Sequence, residues 1–67
     1  MTDAQKIKYI ADAVAIMMLR PRDDQYNRNQ LIDMLQWKHK ACEADTQASV
    51  EIADAAIKLH AKLHRMH

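Results

Sequence analysis

Glu43-Ala44-Asp45-Thr46-Gln47-Ala48-Ser49 separates two apolar helical stripes, and it holds neither glycine nor proline. If the helix runs straight through it, the second half of the chain is one rod of about 40 residues, about 60 Å long. If the chain turns there, the same residues make an antiparallel helical hairpin. The apolar register can be continued backwards without a skip through Ser49, Asp45, Cys42, Lys38, Leu35 and Leu31. That register puts Lys38, Asp45 and Ser49 in an apolar seam, which weakens a coiled coil. Asp45 and Thr46 are good N-cap residues, with Gln47 and Glu51 following. The balance favours a turn near Asp45.

Downstream, Ile52, Ala56, Leu59, Leu63 and Met66 recur at alternating steps of four and three, with Val50, Ala53, Ile57 and Ala61 alongside. Glu51 and Asp54 sit early and Lys58, Lys62 and Arg65 late, which suits the helix dipole. Asp54 and Lys58 are also placed as an i,i+4 pair. The spacing predicts a helix over about 47–66.

Upstream, Asn27-Arg28-Asn29-Gln30 is a capping-box start. Tyr26 is placed to staple against Leu31, and Asp23 or Asp24 offers an alternative cap one turn earlier. Leu31, Met34, Leu35 and Cys42 share one face of a helix over about 27–43. Ile32 and Trp37 lie off that line.

A first helix over about 3–19 opens on the capping-box pattern Thr2-Asp3-Ala4-Gln5. Ile7, Ile10, Ala11, Val14 and Met18 define its apolar face, and Ile16, Met17 and Leu19 widen it near the end. Pro21 stops it, because a residue before proline is pushed out of the α region.

Composition agrees with this pattern. The 67 residues include eleven alanines and five methionines, one proline and no glycine. Strong helix formers dominate, and the φ > 0 turns of tight β-hairpins lack their usual residue. The fold class expected is therefore all-α: one domain, residues 1–67, built as an antiparallel helical hairpin plus an N-terminal helix, three helices in all. A chain this short buries a modest core, and with one cysteine, Cys42, it has no internal disulfide to help. Dimerisation into a helical bundle is the expected remedy. The surplus apolar surface is placed on Ile16, Met17, Leu19, Ile32, Trp37 and Ile57.

The candidate chemistry is sparse. His60, His64 and His67, spaced four and three, share a helix face and are weak candidates to hold a metal. Solvated side chains in a basic last turn are the preferred explanation, and no metal is expected. His39 and Cys42 are i,i+3, but a cysteine on an apolar stripe is more often a core residue than a nucleophile. There is no phosphate loop and no acidic metal cluster, so no enzyme activity and no cofactor are expected.

The net charge of +1 speaks against strong nonspecific nucleic-acid binding. Arg20, Arg22, Arg28 and the amide of Asn29, or Lys58, Lys62 and Arg65, nevertheless keep a small helix-turn-helix DNA regulator as the alternative function. No run is long and apolar enough for a membrane span, and the opening Met1-Thr2-Asp3-Ala4 has no basic n-region. The reading is a cytoplasmic chain without a membrane role.

The preferred function is a non-catalytic protein-binding module of inhibitor or adaptor type, working sterically as a homodimer on a heterologous protein. Trp37, Tyr26, Arg22 and Arg28 are its candidate partner contacts. Ile16, Met17, Leu59 and Leu63 are its candidate self-association residues. Trp37 has two readings, an exposed binding anchor or a lid on the intramolecular core.

Overall fold

The computed structural model describes residues 1–19 and 27–65, residues 64 and 65 by backbone alone. Every element among them is helical: α1 Asp3–Met18, α2 Arg28–Lys38, α3 Lys40–Ala44 and α4 Thr46–Arg65.

Local chemistry starts these helices where the sequence indicates. Thr2 Oγ1 accepts from the Gln5 amide at 3.2 Å, while Gln5 Oε1 accepts from the Thr2 amide at 2.9 Å. Asn27 and Gln30 repeat the exchange at 2.8 and 3.1 Å. Each box satisfies backbone donors that the first helical turn leaves without partners. The staple expected of Tyr26 and the caps at Asp23 or Asp24 lie outside the described residues.

The chain does turn at Asp45, so the hairpin is formed and the long rod is not. Asp45 leaves the helical region (φ −136°, ψ 87°). Its carboxylate Oδ1 accepts from the Ala48 amide at 3.1 Å, and its carbonyl accepts from the Ser49 amide at 3.1 Å. Ser49, fully buried, closes the corner: its hydroxyl lies 2.7 Å from the Cys42 carbonyl oxygen and 3.0 Å from that of Asp45.

The helix expected over 27–43 is instead two. His39 adopts an extended backbone (φ −127°, ψ 118°) that ends α2 and starts α3. Its amide still donates to the Leu35 carbonyl at 2.9 Å, and its own carbonyl accepts from Cys42 and Glu43 at 3.0 and 3.1 Å. No glycine or proline marks this break. Its visible cause is tertiary, since the His39 ring is held against α1.

The core gathers Ala13 and Val14 of α1, Leu31 and Leu35 of α2, Cys42 of α3, and Ile52, Ala53 and Ala56 of α4. Alanines supply three of these eight, so the helices approach closely. Around them Tyr9, Ile10, Met17, Ile32, Ile57 and Leu63 are half-buried.

That placement corrects the sequence reading of α1. The buried line runs through Ile10, Ala13, Val14 and Met17, whereas Ile7 and Met18 are 67% and 61% exposed and Ala11 is exposed. It also corrects the surplus: Ile16, Met17, Ile32 and Ile57 are half-buried, while Ile7 and Met18 join Leu19 and Trp37 outside. Periodicity had two apolar faces to choose from on α1, and only packing against α4 and α2 chose between them. On α4, Leu59 is 41% exposed and Leu63 half-buried, so the expected seam fades after Ala56.

Ion pairs tie the outer surfaces together. Lys6 meets Glu51 at 3.1 Å, Arg28 Nε meets Asp54 at 2.9 Å, and Lys38 meets Asp12 at 3.4 Å. All are solvent-exposed to a degree that makes each worth little alone. Asp54, read from spacing as a partner for Lys58, is the one that holds Arg28.

Candidate functional site

Trp37 is the most exposed large apolar side chain among the described residues, at 88%. Leu31 and Leu35 set the buried line of α2, and Trp37 follows Leu35 by two residues, about 200° round the helix. It therefore points away from the core, and the lid reading of Trp37 is not what the fold adopts. Gln30, Asp33 and half-buried Met34 share its face, and Lys38 and Lys40 follow it at the helix break. An aromatic centre ringed by polar and charged side chains has the anatomy of a protein contact.

Of the other expected partner contacts, Arg28 is exposed but is engaged with Asp54, and Tyr26 and Arg22 lie outside the described residues. Among the proposed self-association residues, Met17 and Leu63 pack on the core, Ile16 is half-buried, and Leu59 is partly exposed.

A second cluster, which the sequence reading missed, joins α1 to the α2–α3 junction. His39 Nε2 lies 2.9 Å from Asp12 Oδ2, and the His39 ring stacks on Tyr9 with centroids 4.2 Å apart and planes at 26°. A carboxylate only accepts, so Nε2 carries the proton and donates. Lys38 Nζ reaches the same oxygen at 3.4 Å. The hydrogen bond from His39, together with the positive charge of Lys38, holds the Asp12 carboxyl below its usual range against an opposing desolvation effect. Asp12 and His39 are 27 residues apart, which is why periodicity gave no signal for the pair. A hollow of about 480 Å³ opens beside them, lined by Lys8, Tyr9, Ala11, Asp12, Ala15 and His39.

The Cys42 thiol is enclosed in the core. Burial pushes Cys42 up, against a smaller lowering by its hydrogen bond to Ser49. His39 is turned to Asp12 and Tyr9. Of the three C-terminal histidines, only the His60 side chain lies within the described residues. Among those residues no group of three or more His, Cys, Asp or Glu is arranged to hold a metal ion, and no helix is long and apolar enough to cross a membrane.

Comparison with known proteins leaves the chain on its own physics. No family model, no curated protein and no solved structure matches it. The functional reading therefore rests on these surfaces alone.

Proposed function

We propose that the chain is a small non-catalytic protein-binding module, of inhibitor or adaptor type, that works as a homodimer and acts sterically on a heterologous protein. The observation that carries this reading is the outward Trp37. Leaving an indole 88% exposed in a chain with so small a core forgoes burial worth roughly 2–3 kcal/mol, so its place outside is most simply explained by contact with another chain.

Affinity capture from the native host with wild-type and Trp37→Ala chains tests the reading. Trp37→Ala should lose the captured partner while keeping its helicity by circular dichroism. Equal capture by both chains would refute the role of Trp37. Retention of nucleic acid alone, lost steeply with added salt, would favour the DNA regulator instead.

A further inference from the structure

The outer face of α1 carries a second apolar stripe whose order of sizes fits a copy of itself. Ala4, Ile7, Ala11, Ala15 and Met18 are all exposed, with Ile7 at 67% and Met18 at 61%. Their spacings are three, four, four and three, so they lie on one side of the helix, away from the Ile10–Ala13–Val14–Met17 line that packs inward. The spacings read the same in both directions. Reversed about Ala11, Ile7 falls on Ala15 and Met18 falls on Ala4, so each large side chain meets a small one and Ala11 meets Ala11.

We infer that this stripe is the homodimer interface, with α1 packing antiparallel against α1 of a second copy about a two-fold axis through Ala11. The inference rests on the homodimeric part of the proposed function and deepens it. A two-fold contact requires a self-complementary patch, which symmetric spacing with large residues falling opposite small ones provides. Alanines at its centre let the helix axes come close, so that Ile7 and Met18 insert as knobs beside the partner's Ala15 and the partner's Ala4. The hollow of about 480 Å³ along the Lys8–Asp12 flank takes in Ala11 and Ala15 and leaves room for the partner's side chains.

Charge agrees with this orientation. Lys8 has no ion-pair partner among the described residues. Reversal about Ala11 sets it about 3 Å along the axis from the partner's Asp12, on the same flank, while the two Lys8 residues stay about 9 Å apart along that axis.

Light scattering on the full chain after size-exclusion chromatography tests the proposal. Wild type should weigh twice the 7.8 kDa of one chain. Ala11→Glu, which sets two carboxylates against each other across the axis, should fall to one chain with unchanged helicity. Trp37→Ala should stay dimeric, which separates this contact from the one made by the indole. Cysteine scanning reads the orientation. Ala11→Cys should form a disulfide-linked dimer on mild oxidation, and Ile7→Cys should not, because position 7 faces the partner's Ala15.

A wild-type monomer at every concentration, or an Ala11→Glu chain that remains a dimer, overturns the proposal. Crosslinking through Ile7→Cys as readily as through Ala11→Cys overturns the antiparallel pairing. Loss of partner capture by Trp37→Ala with monomeric wild type would sink this interface and leave the protein-binding role standing.

Discussion

Ser49 is a polar residue enclosed by the core, and its hydroxyl holds the corner between α3 and α4 through the carbonyls of Cys42 and Asp45. Replacing it with alanine removes the donor while adding little strain. Urea denaturation of Ser49→Ala should show a loss of about 1 kcal/mol with an unchanged slope.

Asp12 makes the matching case for charge. Its folded-state carboxyl is held low, chiefly by the hydrogen bond from His39. A lowered carboxylate contributes stability that is present above the unfolded value, near pH 4, and is lost as pH falls through the folded value. The site is partly open to solvent, so the contribution at neutral pH should be below about 1 kcal/mol. Asp12→Asn should therefore be less stable than wild type at pH 7, with the two stability curves converging below about pH 4. A constant gap across that range would mean that Asp12 acts by shape alone.

The elements show which signals are local. Both capping boxes and the Asp45 corner were legible because each is satisfied within a few residues by side chains that compete for backbone groups. The break at His39 was not legible. Neither His39 nor its neighbours discourage a helix, and the residues that hold its ring, Tyr9 and Asp12, belong to another element. A prediction separates these two kinds of boundary. Asp45→Ala removes the cap on the Ala48 amide and should cost about 1 kcal/mol by thermal or urea melting. It should not fuse α3 and α4 into one rod, because the hairpin packs Leu35 and Cys42 with Ile52 and Ala56. Retained helicity together with an enlarged hydrodynamic radius would contradict that.

At the scale of the molecule, a core this small makes stability unevenly distributed. Leu35 is fully enclosed, and Leu35→Ala should cost 2–5 kcal/mol, roughly, which is a large share of the stability of such a domain. Ile7→Ala, with the same chemistry on the outer face of α1, should leave the melting of the isolated monomer within about 0.5 kcal/mol of wild type. Comparable losses at the two positions would mean that Ile7 is enclosed in the monomer as well. The candidate contact at Trp37 was visible in the sequence as an apolar residue off the main stripe. The α1 stripe was hidden, since Ile7 and Met18 were counted with the core.

The sequence alone determined that this chain is helical and where the capped helices at Thr2 and Asn27 begin, and it favoured a turn at Asp45, because those outcomes follow from propensity, capping and spacing within a few residues. Which face of α1 is buried, where the second helix breaks, and that Asp12, His39 and Tyr9 meet were decided only by the tertiary structure. A helix with apolar residues on two sides carries no instruction about which side faces inward. That choice belongs to the neighbour against which Ala13 and Val14 can pack more closely than Ile7 and Met18 can.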